Sequence, residues 1–319
     1  MRECLVAAAL AAGIVLAATG PFARWLRAGR LRREVRIDTP ESHQAKQGTP
    51  SMGGVVLTLA VAAACLAASP TVSCLVLTLA TVAFAGLGFL DDFVKATARP
   101  GFGIKARHKF SVQVGLSGGA VYAVAWAFEL PPALHWPPTF AAVPLGWAFV
   151  PAAVFFVVAV TNATNIVDGL DGLAAGVLFL CFGALTVISA VEGLTPVAAF
   201  SGAAAGACLA FLWFNRHPAR IWMGDTGSMA LGAGLALTAL ASGKELLLPL
   251  LALVLVVDGV SVILQVLAFK TTGKRLFRIA PIHHALELRG WPETRVVTAA
   301  WLLTGVGALG SAAVWLSGR

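Results

Sequence analysis

Long apolar segments recur along almost the whole chain, each close to the length that a helix needs to cross a lipid bilayer. A helix rises about 1.5 Å per residue, so about 20 apolar residues span a hydrocarbon core about 30 Å thick. Backbone groups in hydrocarbon must be satisfied within the segment, which favours helices. The sequence therefore predicts an all-α, polytopic integral membrane protein, with residues 1–319 forming a single domain. Ten such segments are present: residues 4–22, 53–69, 72–90, 110–128, 139–161, 173–191, 196–214, 226–242, 246–269 and 296–316.

Composition supports this interpretation and narrows the possible partners. Hydrophobic residues make up 58% of the chain and charged residues 12%, whereas soluble domains average about 25% charged residues. The net charge of +8 is compatible with nucleic-acid binding, but the basic residues flank apolar segments, where topology and anionic lipid explain them better. We therefore expect membrane lipid and no nucleic acid as a partner. The five cysteines stand singly in apolar segments, which indicates small core or lipid-facing residues.

Positive charge is distributed very unevenly between alternate loops. With ten spans, every Lys and Arg except Arg2, Lys244 and Arg319 falls on the same side of the membrane. The positive-inside rule predicts that this side is cytoplasmic and that both termini lie outside. The first span resembles a secretory signal peptide, but its positive charges follow the apolar run, so we expect it to be retained.

Most polar side chains fall on the predicted cytoplasmic side as well, which indicates that the functional site faces the cytoplasm. The opposite side carries Glu129, His135, Glu192 and Glu245. Asp258 lies within a span, where a carboxylate either pairs with another polar group of the bundle or takes part in the mechanism; a structural partner is favoured. The cytoplasmic loops hold Asp91, Asp92, Asn162, Asn165, Asp168, Asp171, Asn215, Asp225, His283 and His284.

The segment TNATNIVDGLDGLAAG, residues 161–176, places four polar side chains three residues apart between apolar segments: Asn162, Asn165, Asp168 and Asp171. On a continuous helix this spacing drifts by about 60° per step, so the first and last would point apart. The two glycines of DGLDG weaken a helix and allow close approach of a ligand. We therefore expect a loop or broken helix that brings these groups together, rather than two helix caps beside a turn.

Two further carboxylate motifs suit a divalent cation and phosphate. Asp91 and Asp92 are adjacent at the end of a span, an arrangement that suits Mg²⁺, which commonly takes one or two carboxylates plus substrate phosphates. Asp225, in WMGDTGS, precedes a helix rich in small residues and is interpreted as a metal ligand rather than as an N-cap. Downstream of Asp92, Arg107 and Lys109 can complement phosphate or serve only as topology determinants.

Two other motifs have weaker chemical meanings. The turn KQGTPSMGG, residues 46–54, could hold a phosphate on exposed helix-start amides beside Lys46, although any loop entering a helix looks similar. His283 and His284 in the last cytoplasmic loop lack the spaced partners of a zinc site and suit a pyrophosphate better. His43, His108 and His217 are expected to be solvated loop residues. Walker A, Rossmann and nucleophile-elbow signatures are absent from the sequence.

Several of these motifs together resemble a known family, the polyprenyl-phosphate N-acetylhexosamine-1-phosphate transferases. The last motif most resembles the branch that uses a UDP-N-acetylmuramoyl-pentapeptide donor. That branch usually has three consecutive histidines, whereas the third position here is Ala285. The matching pieces run in family order from residue 46 to residue 293: GTPSMGG, FLDDFVK with GIKARHKF, NATNIVDGLDGLA, FNRHPARIWMGDTGS, and SVILQVLAFKTTGKRLFRIAPIHHALELRGWPE.

The resemblance implies an all-helical fold of ten spans with a cytoplasmic active-site cleft. It implies Mg²⁺-dependent transfer of phospho-N-acetylmuramoyl-pentapeptide to undecaprenyl phosphate, with release of UMP, in the bacterial inner membrane. Three alternatives remain. The donor could be of the UDP-N-acetylglucosamine type, the protein could form a homodimer, and the reaction could take two steps through an aspartyl intermediate on Asp91. A secondary transporter is disfavoured, because its carboxylates would lie near the midplane in repeated segments.

By the family pattern each candidate residue acquires a role. Asp225 corresponds to the Mg²⁺ ligand, and Asp91 and Asp92 to catalytic carboxylates near the lipid phosphate. His283 and His284 would contact the pyrophosphate, and His283 would also be a catalytic residue. The remaining candidate substrate-binding residues are Lys46, Thr49, Lys95, Arg107, Lys109, Asn165, Asp168, Asp171 and Asn215.

Overall fold

Helices form nearly all of the regular structure in the computed structural model, which describes residues 1–29, 48–97 and 103–319. A two-stranded antiparallel hairpin, β1 (Ala133–Trp136) and β2 (Ala141–Pro144), and a 3₁₀ turn, Gly146–Ala148, join α4 to α5. The helices are α1 (Arg2–Ala28), α2 (Gly54–Ala68), α3 (Val72–Thr97), α4 (Ala106–Ala127), α5 (Phe149–Val167), α6 (Leu173–Val191), α7 (Thr195–Asn215), α8 (Gly224–Ala241), α9 (Leu248–Leu251), α10 (Leu253–Thr272), α11 (Ile282–Glu287) and α12 (Glu293–Ser317).

The all-α membrane architecture predicted from the sequence is confirmed. Eight helices in the described part of the chain are long and apolar enough to cross a membrane. The other two predicted spans correspond to α2, with 15 residues, and to α8, with 18 residues and every residue buried. Each of the ten apolar segments thus contains one long helix.

Two of the predicted span boundaries are wrong. The segment 139–161 begins in the hairpin, and its helix starts only at Phe149. The segment 246–269 is interrupted after the short helix α9, so that α10 starts at Leu253. Apolar composition does not distinguish a short strand or a helix break from a continuous helix, which explains both differences.

Helix α8 forms the centre of the bundle, and α3 and α5 pack along it. Small residues permit this close packing. A Cβ atom added at Gly232 of α8 would lie 2.9 Å from the Cα atom of Thr161 in α5. Helix α1 packs along α7 in the same way, where a Cβ atom at Gly206 would lie 2.2 Å from the carbonyl oxygen of Ala8. Helix α1 is therefore an integral part of the bundle, and small residues serve contacts within the chain.

Polar contacts of the predicted outer side gather at one end of the helices. Lys244 Nζ lies 2.9 Å from the Glu192 carboxylate, which also accepts a 2.6 Å hydrogen bond from Trp315 Nε1. Glu245 accepts a 2.6 Å hydrogen bond from the His135 backbone N–H. These contacts fasten the hairpin and the ends of α6, α8 and α12 together. The five cysteines are all buried and free, so they are core residues.

Substituting Gly88 of α3 by alanine tests the close packing around α8. A Cβ atom at this position would lie 2.2 Å from the Asp225 carbonyl oxygen, so we expect Gly88→Ala to destabilise the protein by about 1–3 kcal/mol through overpacking. Gly86→Ala is the matched control, because a Cβ atom there meets nothing within 4 Å. Thermal unfolding in detergent measures both, and equal midpoints for the two variants would contradict the packing argument.

Candidate active site

Two carboxylates and two ammonium groups meet where α3, α4 and α8 come together. Lys95, one helical turn after Asp91, places its Nζ 2.7 Å from Asp91 Oδ2 and 2.9 Å from Asp225 Oδ1. Lys109, in the first turn of α4, places its Nζ 3.2 Å from Asp91 Oδ2 and also bonds to Asp225 Oδ2. Each ammonium group thus bridges both carboxylates. We call Asp91, Lys95, Lys109 and Asp225 the charge cluster.

Burial makes this pairing necessary. Asp91 is 2% exposed and Asp225 is 6% exposed, and a buried carboxylate without a partner is strongly destabilising. The Ile104 backbone N–H completes the surroundings of Asp91 by donating a 2.7 Å hydrogen bond to Oδ1. The small size of Gly103 permits this approach, because a Cβ atom there would lie 2.3 Å from the same oxygen. The segment that enters α4 is thereby held against the cluster.

Asp92 has a different environment from its neighbour. Its Oδ1 accepts a 3.1 Å hydrogen bond from the Asp225 backbone N–H, and its Oδ2 accepts bonds from the Thr226 N–H at 2.9 Å and the Thr226 hydroxyl at 2.7 Å. Asp92 therefore caps the start of α8 from another helix. Asp225 itself is not the cap, which agrees with the choice made from the sequence. The catalytic role suggested for Asp92 stays a prediction.

The segment 161–176 contains the expected break, since α5 ends at Val167 and α6 starts at Leu173. Different elements nevertheless hold Asn162, Asn165 and Asp171. Asn162 exchanges hydrogen bonds with Gln113 of α4, and Asn165 Nδ2 donates a 2.9 Å bond to Ser228 Oγ of α8. Asp168 is half-buried at the end of α5. Ser228, the partner of Asn165, lies three residues after Asp225 on α8.

Asp171 and Asn215 hold the loop between α7 and α8. Asp171 accepts hydrogen bonds from the Trp222 indole at 3.1 Å and from the Ala219 N–H at 3.0 Å. Asn215 accepts from the Gly172 N–H at 3.1 Å and donates to the Ile221 carbonyl at 3.0 Å. This network positions the loop that leads into Asp225, and the substrate contacts suggested for both residues stay predictions.

His217 is an exposed loop residue, as expected, but its ring also contacts two carboxylates. Its Nδ1 lies 3.3 Å from Asp171 and 3.3 Å from Glu293 at the start of α12, whose other oxygen accepts from the Asp171 N–H at 2.7 Å. Spacing along the sequence gave no sign of these contacts, because the residues lie on three separate elements. His108 is exposed, as expected, but it lies in α4 rather than in a loop. His43 lies outside the described residues.

His283 lies beside the broken helix. It is 4% exposed, and its Nδ1 lies 2.7 Å from the carboxylate of Asp258, which therefore pairs with a polar group of the bundle, as favoured from the sequence. Its Nε2 faces Gly169, where an added Cβ atom would lie 2.8 Å away. His284 packs against His283 at 4.3 Å between ring centroids and bonds through Nδ1 to Glu287 at 2.7 Å.

Three candidate residues remain. Thr49 is half-buried, Arg107 is exposed in the first turn of α4, and Lys46 lies outside the described residues. The N–H groups of Gly53 and Gly54 donate to the carbonyls of Trp222 and Met223. The suggestion that exposed amides at this helix start hold a phosphate is therefore wrong for these two glycines, because their donors are already used.

Comparison with known proteins identifies the family. A family model described as glycosyl transferase family 4 matches residues 74–243. A phospho-N-acetylmuramoyl-pentapeptide transferase from Geobacillus kaustophilus is 43% identical over 286 residues, covering 88% of this chain and 87% of the relative. The chain belongs to the phospho-N-acetylmuramoyl-pentapeptide transferase family. Other members include that of Moorella thermoacetica, 41% identical over 97% of this chain and 98% of the relative, and that of Bacillus subtilis, 40% identical over 88% and 87%.

The residues matched to this transferase family include the whole candidate site. The segment matched by the family model contains all four residues of the charge cluster, together with Asn165. The segment matched by the family model ends before Asp258 and His283. The match to the relative from Moorella thermoacetica includes both residues, because it covers nearly the full chain. The resemblance inferred from short motifs is thus confirmed along the sequence.

The capping role of Asp92 is tested by shortening its side chain. Asp92→Ala leaves the N–H groups of Asp225 and Thr226 without their acceptor, and each unsatisfied buried donor costs about 1–3 kcal/mol. We expect a clearly lower thermal midpoint for Asp92→Ala and a smaller loss for Asp92→Asn, which keeps one acceptor oxygen. Unfolding scans in detergent check this order, and an unchanged midpoint in Asp92→Ala would contradict the role.

Proposed function

We propose that the chain transfers phospho-N-acetylmuramoyl-pentapeptide from its UDP derivative to undecaprenyl phosphate. UMP is released, and the product is the first lipid-linked intermediate of peptidoglycan synthesis. The relatives named for this activity support the proposal. The observation that carries it is the buried charge cluster at the ends of three helices. The protein works as a multi-pass protein of the bacterial inner membrane, with both termini outside and the site facing the cytoplasm.

Substrate charge and location explain the need for such a cluster. Both substrates carry phosphate, and the lipid phosphate stays at the membrane interface, where spanning helices end. Phosphoryl transfer depends mainly on positioning and on neutralising charge. Lys95 and Lys109 supply two ammonium groups that exchange Asp91 and Asp225 for phosphate oxygens when substrates bind. The carboxylates keep these lysines in place between turnovers.

The reaction is a direct transfer between the substrates. A lipid phosphate oxygen attacks the β-phosphorus of the donor and forms the new P–O bond. The bond from that phosphorus to the oxygen shared with UMP breaks, and its electron pair leaves with UMP. In this scheme Asp91 forms no covalent bond to phosphorus and acts through its charge.

The residues present fit Mg²⁺. Asp91 and Asp225 share the same two cationic neighbours, so their oxygens surround a volume suited to positive charge. Two carboxylates plus substrate phosphates form the oxygen-rich set that Mg²⁺ prefers. Asp92 fits less well, because both its oxygens accept hydrogen bonds from α8. Bound there with Asp225 as a ligand, Mg²⁺ would neutralise charge on the phosphates.

Asp225→Asn tests the assignment of the central carboxylate. The amide keeps the size of the side chain but removes the negative charge, so we expect at least a 100-fold lower rate of UMP release, because charge stabilisation of this kind is worth roughly 10²–10³ in rate. Glu129→Gln, an exposed acid-to-amide change at the opposite end of α4, is the matched control and should keep normal turnover. Near-normal turnover in folded Asp225→Asn would refute the assignment.

A donor comparison tests the reaction itself. Purified protein with undecaprenyl phosphate should release UMP from UDP-N-acetylmuramoyl-pentapeptide and not from UDP-N-acetylglucosamine. Chelation of divalent cations should stop the release, and added Mg²⁺ should restore it. A preference for UDP-N-acetylglucosamine would establish the alternative donor, and full activity in the presence of excess chelator would exclude the Mg²⁺ dependence.

A further inference from the structure

A buried carboxylate and a buried imidazole form a pair between α10 and α11. Asp258 is 3% exposed and His283 is 4% exposed. Asp258 Oδ2 lies 2.7 Å from His283 Nδ1, and its Oδ1 accepts a 3.3 Å hydrogen bond from the His283 backbone N–H. Both oxygens of one carboxylate therefore hold the same residue, which fixes the position and the orientation of the ring.

The other nitrogen of this ring is held in a defined place. His283 Nε2 is buried and has no hydrogen-bond partner among the residues that the structure describes. It faces the backbone of the broken helix at Gly169, where an added Cβ atom would lie 2.8 Å from it and 3.5 Å from His284 Nε2. A buried polar atom without a partner is costly, so this nitrogen requires a partner that the described residues do not supply.

We propose that Asp258 is a positioning residue that holds His283 with Nε2 directed at a phosphoryl oxygen of the bound donor. This inference rests on the proposed function, because the donor diphosphate supplies that oxygen. Asp258 does not touch substrate in this arrangement and acts only through the imidazole of His283.

The chemistry of the pair explains why a carboxylate is required. With Nδ1 donating to Asp258, the ring has a single tautomer when neutral, and Nε2 is its acceptor. A second proton at Nε2 turns this nitrogen into a donor to an anionic oxygen, and the carboxylate balances the positive charge of the ring. Carboxylates that orient catalytic or metal-binding histidines act in this way. An amide at position 258 accepts the same bond but supplies no charge.

A double-mutant cycle separates this role from a purely structural one. Turnover and KM for the donor are measured for Asp258→Asn, His283→Gln and the double variant. We expect Asp258→Asn to lower kcat/KM by about 10- to 100-fold, the range known for residues that orient a ligand through hydrogen bonds. In the His283→Gln background the same change should cost less than about threefold, since coupled residues are not additive. Equal losses in both backgrounds would overturn the inference.

Two matched variants control for packing. Asp258→Glu keeps the charge and should retain more activity than Asp258→Asn. Ser261→Ala, one turn away on α10, removes a buried hydroxyl that donates a 2.7 Å hydrogen bond to the Asp258 backbone carbonyl, and should leave turnover within about twofold. A loss in Ser261→Ala as large as that in Asp258→Asn would assign the effect to helix packing and overturn the proposed role.

A spectroscopic measurement tests the pair without substrate turnover. In protein labelled with ¹⁵N-histidine, the signals of His283 are identified by their absence from His283→Gln. We expect a protonated Nδ1 in the wild type, and a changed Nδ1 and Nε2 pattern in Asp258→Asn but not in Ser261→Ala. An unchanged pattern in Asp258→Asn would refute the orienting role. Absence of UMP release from wild-type protein would instead refute the proposed function. The ¹⁵N-histidine measurement would still test the orienting role of Asp258.

Discussion

Buried charge in this bundle is stable only where it is paired, and that constraint determines the arrangement of the site. Asp91 and Asp225 lie among apolar helices, and the same two lysines neutralise both. Removing one partner of a buried ion pair typically costs about 3–5 kcal/mol, so the four side chains behave as one unit. Three helix ends are thereby drawn to one point. In the proposed reaction, a phosphate that enters this unit exchanges one set of charge partners for another.

Backbone packing supplies the precision that the charges need. Asp225 is carried at the start of the fully buried helix α8, and Asp92 fixes that start through hydrogen bonds from a neighbouring helix. A Cβ atom at Gly54 would lie 2.0 Å from the Gly227 N atom, so α2 and α8 also touch at the backbone. Adjacent acidic residues in the sequence thus have separate tasks. Asp91 belongs to the charge cluster, whereas Asp92 positions the helix that contributes Asp225.

The polar segment 161–176 shows how far sequence reasoning reached and where it failed. Three-residue spacing and two glycines correctly predicted a break between two helices. They did not predict the partners, because Gln113, Ser228 and Trp222 lie on three different elements. The contact that the break makes also depends on the tertiary structure. The break brings the Gly169 backbone against the ring of His283, more than a hundred residues later in the chain.

Sequence alone determined the fold class, the ten helical segments and the family, because hydrocarbon requires long apolar helices and phosphate chemistry requires distinctive polar motifs. It also predicted that Asp225 is not the N-cap of its helix, and that Asp258 pairs with a polar group of the bundle. Only the tertiary structure decided which groups meet. Lys95 and Lys109 join two aspartates, and Asp258 orients one of two adjacent histidines. Such contacts depend on the packing of distant helices, about which local spacing carries no information.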